Sequence, residues 1–503
     1  MGMSFVEPQA PIPHIRYRCH DPRPRPPDSP PFMRFLAVLF LAAFCITPAI
    51  AEPQATPETK AIAKAGFAPE DIGFVLIDLD DGRALAEQTA DALFIPASVA
   101  KLATVYPAQQ ILGADYRFQT RVFRAGDALY LQGGGDPVLT NIELRDLARQ
   151  VQALKPEGGW KAFFYDANAT GAAPEVDGGQ PIQATYNAGI DALSVDFNRI
   201  QVNWSRDAEG KLSFQARAVA DGMNVPADWV RFLPADGALP PGANFLYAGD
   251  RNGERWLYAP DLPATLPEEG AIFLPVKQPA RNTALVFREI AKRNGLALPE
   301  PQAGAVPADA TPVATVESPP LSEVMTGLLK FSNNMTAELI GLATSRRLTG
   351  KVLDQRASSA ALGDWLRQHL SYVDWTGFKL VNHSGLSSQS RASPRQIAAI
   401  LMAMAREPVL AGMPNRIMGD DPKAQAAAKS GTMDFACGLG GYLTARSGRR
   451  LAFAIFVLDR DKRAALDASF DRRVLAPTPG ARSWLGRARG LENTLLKSWR
   501  DRF

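Results

Sequence analysis

From about Tyr116 to Pro307 the chain carries short alternating segments separated by Gly and Pro, while the sequence on both sides carries helical patterning. Strand candidates in this stretch include Ala128 to Gln132, Ile200 to Trp204 and Ala271 to Leu274, short runs of the β-compatible type bounded by turn residues. The Ala-, Pro- and Gly-rich run from Gln302 to Pro312 reads as the linker back. Helical patterning that stops and later resumes is what an insertion leaves in a sequence. We therefore expect β-rich inserted material over residues 116–309 and a single body assembled from 52–115 and 310–503. A chain of 503 residues, 46% hydrophobic and 21% charged, is long enough for two or three compact units.

The flanking segments point to a fold class. Ile72 to Leu79 reads as a strand, Asp80-Asp81-Gly82 as a turn and Arg83 to Glu87 as the returning strand. Near the end, Leu439 to Ala445 and Arg450 to Leu458 form a second hairpin around Arg446-Ser447-Gly448. A helix is expected after Pro96, where Ala97-Ser98-Val99-Ala100-Lys101-Leu102-Ala103 runs without a breaker as far as Pro107. Further helices are expected along Leu321, Val324, Met325, Leu328 and Leu329, and over Ala360–Leu370 and Pro394–Ala405. The amphipathic tail from Trp484 to Trp499 is expected to be a terminal helix packed on the sheet. The expected class is α/β in the α+β sense, an antiparallel sheet flanked by helices and interrupted by the insert.

Met33-Arg34, the apolar run Phe35 to Ile46 and the small residues before Glu52 have the layout of a secretory leader over 33–51, cleaved after Ala51. The apolar run is too short to span a bilayer, so no membrane segment is expected in the mature chain, which would be exported to the periplasm. The Pro- and Arg-rich residues 1–32 have no apolar periodicity and are expected to be a disordered upstream extension. Without these segments the formal charge of +3 falls close to neutral, which argues against nucleic-acid binding. Cys19 and Cys45 would be lost with them, leaving Cys437 without a disulfide partner and expected to be a packed thiol. Only His369 and His383 would remain to serve a Ser-His or zinc site, so neither a metal nor another cofactor is expected.

Three short signals occur in order: Ser98-x-x-Lys101, Ser332-Asn333-Asn334, and Lys429-Ser430-Gly431-Thr432. Each is common by itself; the order, with the first opening a helix and the last entering a strand before the terminal hairpin, is the signature of penicillin-recognising serine enzymes. The chemistry needs these residue types. A serine hydroxyl is a weak nucleophile until a base takes its proton, and Lys101 can do so only when neutral. From a reference value of about 10.4 its pKa must fall by roughly three units, about 4 kcal/mol of differential interaction. Burial and a second cation, Lys429, both push that way. Asn334 and Ser332 can hydrogen-bond the amine without adding negative charge, and Ser332 suits a proton relay to the leaving amine. Backbone N–H groups of Ser98 and Thr432 are expected oxyanion donors. Lys429 with the Ser430 and Thr432 hydroxyls, on either side of Gly431, suits a substrate that ends in a carboxylate.

Further stretches carry a resemblance. Tyr130-Leu131-Gln132-Gly133-Gly134-Gly135-Asp136-Pro137-Val138-Leu139-Thr140, Tyr186-Asn187-Ala188 through Asn198, and Ser384-Gly385-Leu386-Ser387 with Ser393-Pro394-Arg395 are similar to the low-molecular-mass class C penicillin-binding proteins, D-alanyl-D-alanine carboxypeptidases and endopeptidases. The similarity runs from about residue 58 to about 475. It implies a β-lactamase/transpeptidase-like domain with two inserted domains, peptidoglycan peptides as substrate and β-lactams as covalent inhibitors. It makes Ser98 the nucleophile, Lys101 its base, Ser332 and Asn334 the second element and Lys429 the third. Asn333 stands where the family often has Asp, and Ser430 where it usually has Thr. His383 is expected to be structural, and Gly133-Gly134-Gly135 a tight turn, since no Lys-Ser/Thr follows as in a phosphate loop.

Three other readings use the same residues. A β-lactamase or esterase would share the serine and differ in how fast water reaches the acyl-enzyme. A non-catalytic cell-wall binding protein would keep the fold without the chemistry. A serine hydrolase with a histidine base would need His369 or His383 beside Ser98.

Overall fold

The computed structural model describes residues 55–503 apart from 155, 221, 251–252, 263–265, 406–412, 414 and 419–420. The expected leader, its cleavage point, the upstream extension, Cys19 and Cys45 lie outside the described residues.

Residues Ala55–Phe503 form one unit organised around a six-stranded antiparallel sheet. Its strand order is Asn415–Met418, Asp421–Met433, Ala436–Thr444, Arg450–Leu458, Ile72–Asp78 and Ala84–Gln88. Both expected hairpins are present, and Arg450–Leu458 and Ile72–Asp78, brought from opposite ends of the chain, pair in full register from Val457 opposite Ile72 to Leu451 opposite Asp78. The reason is visible in the two-residue period of Arg450–Leu458. Ala452, Ala454, Phe456 and Leu458 face one core, and Leu451, Phe453, Ile455 and Val457 face a second core on the other side. A strand apolar on both faces has to be covered on both, and burying a side chain such as Phe456 contributes about 1.5–3 kcal/mol.

On the first face the covering elements are the helices Leu102–Leu112, Leu321–Phe331, Asn334–Thr349, Gln355–His369 and Pro394–Met404. The helix Leu102–Leu112 continues through Pro107, where the sequence suggested a stop. Proline removes one backbone bond, and the burial of Leu102, Val105 and Ala108 in the core offsets that loss. On the second face Pro57–Ala65 and the terminal helix Ala481–Arg502 do the covering. Trp484, Ala488, Leu491, Leu495 and Trp499 recur at helical spacing along one stripe and are all buried there.

The middle of the chain builds three further sheets. One has the order Pro301–Ala303, Ala162–Asp166, Ala128–Gly133, Gln119–Ala125 and Thr311–Glu317. A second runs Glu269–Pro275, Arg199–Arg206, Leu212–Ala220 and Met223–Pro226, and a three-stranded sheet joins Phe245–Tyr247, Arg255–Tyr258 and Arg231–Pro234. The helices Asn141–Gln152 and Pro279–Arg293 pack on the first two through a core that includes Leu144, Leu147, Phe163 and Phe287. The run 302–312, expected as a linker, is strand at both ends. Gln302 and Ala303 pair in parallel with Phe164 and Tyr165, and Thr311–Glu317, past the expected boundary at 309, pairs with Gln119–Ala125. Composition cannot reveal this, because an open sheet edge recruits whatever backbone amides lie within reach.

Candidate active site

Ala97–Lys101 is a tight 3₁₀ turn leading into the helix Leu102–Leu112, where an ordinary α-helical first turn was expected. In 3₁₀ geometry residues three apart eclipse one another, so Lys101 stands directly over Ser98. Ala97, immediately before the serine, has φ +44°, a costly conformation for a residue with a Cβ. Its neighbours hold it there: a Cβ on Gly385 would lie 1.9 Å from the Ala97 carbonyl oxygen, so that contact requires glycine.

Leu321–Phe331 ends at Ser332, which adopts a left-handed conformation with φ +59°. The next helix starts at Asn334 and is capped by Asn333, whose Oδ1 accepts the Thr336 N–H at 2.9 Å. Asparagine caps a helix as well as aspartate does, which accounts for the departure at 333. The abrupt join turns Ser332 and Asn334 toward the serine.

The third segment lies on Asp421–Met433. Asn415–Met418 pairs with this strand only as far as Ala427, so among the described residues Ala428 to Met433 has a strand partner on one side, Ala436–Gly441. Gly431 meets the serine turn; a Cβ there would sit 2.5 Å from Pro96 O and 3.0 Å from Ser98 N. Lys429, two residues back on the same face, is 2% exposed and donates to Ser430 O at 2.7 Å. Ser430 and Thr432 point the other way by the strand period. Thr432 lines the cavity in front of Ser98, and Ser430 is exposed on the same face of the strand.

At the centre, Lys101 Nζ lies 2.9 Å from Ser98 Oγ, 2.8 Å from Asn334 Oδ1 and 2.8 Å from Ser384 O. Lys101 is completely buried. Burial holds its pKa well below the usual lysine value, the Lys429 charge lowers it further and the Glu338 carboxylate opposes both. Burial also brings Lys429 down to about 8. A neutral amine has two N–H groups and one lone pair. Carbonyl oxygens cannot donate, so Asn334 and Ser384 take the two N–H groups and the lone pair is left for the Ser98 hydroxyl. Ser332, expected among the amine's partners, is not one of the three; it lines the cavity beside Ser98 and Asn334.

That cavity, about 620 Å³, is also walled by Tyr186 and Gln180 from the middle of the chain and by the strap from Phe470 to Pro479. Asn334 Nδ2 donates to Tyr186 O at 3.0 Å. Sequence reasoning missed four contributors. Ser384 and Tyr186 act through backbone carbonyls, which leave no mark on residue type. Arg489 reaches Thr432 Oγ1 at 3.4 Å from the terminal helix. Glu338 is completely buried four residues after Asn334, and a carboxylate amid Ala337, Leu339 and Ile340 was a legible signal. The histidines are engaged elsewhere: His383 is buried with Nε2 2.7 Å from Ser358 Oγ, and burial lowers its pKa to about 3. The His369 ring stacks on Trp365, with Nδ1 2.8 Å from the Trp365 carbonyl. Cys437 is buried with Sγ 3.2 Å from Glu492 Oε1.

Comparison with known proteins identifies the family. Residues 59–473 match the D-Ala-D-Ala carboxypeptidase 3 (S13) family. A D-alanyl-D-alanine carboxypeptidase from Actinomadura sp. (strain R39) is 27% identical over 430 residues, 76% of this chain and 77% of the relative. Carboxypeptidase DacB from Mycolicibacterium smegmatis is 26% identical over 449 residues, 80% of each. The crystal structure of penicillin binding protein 4 (dacB) from Haemophilus influenzae shares the fold with a TM-score of 0.68 at 17% identity, covering 87% of this chain and 99% of that one. A match across nearly the whole described length, on a fold that gathers the three motif segments around one serine, makes this chain a member of the D-Ala-D-Ala carboxypeptidase 3 (S13) family, the low-molecular-mass class C penicillin-binding proteins.

Proposed function

We propose that this carboxypeptidase works through an acyl-enzyme on Ser98, removes terminal D-alanine from peptidoglycan stem peptides, and also cuts D,D-cross-links as an endopeptidase in the periplasm. The observation that carries the proposal is the Lys101 amine, held by two carbonyl oxygens so that its lone pair meets Ser98 Oγ at 2.9 Å. Ser98 Oγ attacks the carbonyl carbon of the penultimate D-alanine while its proton passes to Lys101 Nζ. Negative charge then develops on the carbonyl oxygen, and the N–H groups of Ser98 and Thr432 receive it; their nearness is supported by the contact of Gly431 with Ser98 N. The C–N bond breaks, the leaving amine takes a proton relayed through the Ser332 hydroxyl, and water later attacks the ester with Lys101 again as base. The Ser430 and Thr432 hydroxyls, on one face of the strand, take the substrate carboxylate, and the buried Lys429 cation, held by the Ser430 carbonyl, attracts it electrostatically. In a cross-link the leaving amine belongs to a neighbouring stem peptide, and the cavity walls beyond the serine, from Gln180 and the 470–479 strap, accommodate it. β-Lactams would acylate the same oxygen.

The test is covalent labelling with a fluorescent penicillin together with mass spectrometry of muropeptides. Wild type is expected to be labelled, to release D-alanine and to cut cross-linked dimers; Ser98→Ala is expected to do none of these. Equal D-alanine release by the two proteins would overturn the mechanism.

A further inference from the structure

The helix Asn334–Thr349 touches the turn 382–385 along one stripe, and this stripe does more than fill space. Asn334, Glu338, Gly341 and Ser345 recur at four, three and four residues, the spacing of a single helix face. Asn334 binds Lys101 Nζ. One turn on, the Glu338 oxygens accept the backbone N–H of Ser384 at 2.8 Å and of His383 at 3.1 Å. At Gly341 the missing side chain makes room for the His383 ring, since a Cβ there would lie 2.2 Å from Cγ. Ser345 Oγ accepts from Ser358 Oγ at 2.7 Å, and Ser358 also meets His383 Nε2. The turn gripped in this way presents the Ser384 carbonyl that Lys101 uses.

We propose that Glu338 is a positioning residue for the reaction: by holding the 383–384 amides it aims the Ser384 carbonyl at Lys101, so that the amine's lone pair is left facing Ser98. His383 serves the same end as a neutral, packed ring that locks the turn against Gly341. The inference rests on the proposed Ser98–Lys101 chemistry and adds to it a carboxylate that touches neither substrate nor nucleophile. A carboxylate can accept both N–H bonds at once. An isosteric amide can accept only one, and its NH₂ group opposes the other, so the turn must rotate.

The decisive experiment measures the acylation rate constant for a chromogenic β-lactam as a function of pH in wild type, Glu338→Gln and Glu338→Asp, with melting temperature recorded for each. Glu338→Gln is expected to acylate on the order of 100-fold more slowly, the cost of misplacing a reacting group by about an ångström, with non-covalent affinity for the β-lactam unchanged. Its acid limb should move to lower pH, because a carboxylate and a carbonyl that favour the Lys101 ammonium are both withdrawn. Glu338→Asp keeps the charge and loses the reach, so it too should be slow. A folded Glu338→Gln with the wild-type rate, or a slow one with an unmoved limb, overturns the proposal, as does Glu338→Asp acylating at the wild-type rate. Should the glutamine variant not fold, the aspartate variant decides alone. Wild type that fails to be labelled would instead defeat the Ser98 mechanism, which keeps the two failures apart.

Discussion

Lys101 and Lys429 are two buried amines to which we assign opposite tasks, base and anion binder, and their surroundings separate them. Lys101 has no solvent contact and lies near a second cation, and both lower its pKa, which suits the proton transfer proposed for it. Lys429 is lowered by burial to about 8 and stays charged below that value. As a cation meant for a carboxylate it is lost on the alkaline side, so kcat/KM for a D-Ala-D-Ala peptide should fall as pH rises through about 8. The limb should move up in kcat, because a bound carboxylate favours the ammonium. Steady-state rates from pH 6 to 10 check this, and a kcat/KM profile flat through 8 would remove Lys429 from carboxylate binding. The side chains gathered here were readable in advance because the proposed roles of nucleophile, base and anion binder each demand a residue type. The Ser384 and Tyr186 carbonyls were not, since every residue has one.

Among the elements, the terminal helix shows how a distant segment is tied to the catalytic sheet. The Trp499 ring lies 5.5 Å from Phe74 and 6.4 Å from Phe453, and its Nε1 donates to Glu58 Oε1 at 3.0 Å. Arg502 bonds the same carboxylate, so one turn of this helix joins the first helix of the described chain to the sheet. Trp499→Ala removes a fully buried ring and leaves Glu58 short of a donor; we expect a loss of about 3–5 kcal/mol. Calorimetric unfolding measures it, and penicillin acylation at 25 °C should be unaffected because none of the site residues is touched. The helix itself was legible from its apolar spacing. The strands within 302–312 were not, because their pairing depends on an edge supplied by residues far away in sequence.

Across the whole molecule, the middle sheets are tied to the active-site wall through Glu175, which receives Arg472 Nη2 at 2.5 Å and lies 3.9 Å from Lys277 Nζ. Ile182 N donates to Arg472 O and Gln183 Nε2 to Arg473 O, which ties the strap to the loop that carries Gln180 and Tyr186. Arg472→Ala should loosen that wall. Losing one partly exposed ion pair is worth on the order of 1 kcal/mol, so KM for cross-linked muropeptides should rise about fivefold. Acylation by a small penicillin should stay unchanged, and comparing the two substrates in one assay separates wall from chemistry. The order of three motifs, the two hairpins, the helix faces and the β-rich interruption were determined by the sequence alone, since each is a local pattern of residue types. Only the tertiary structure decided which backbone carbonyl meets Lys101, that Thr432 lines the cavity before Ser98, and that Glu338 grips the 383–384 turn. Those facts depend on distances between atoms far apart in sequence, which packing sets and no local pattern encodes.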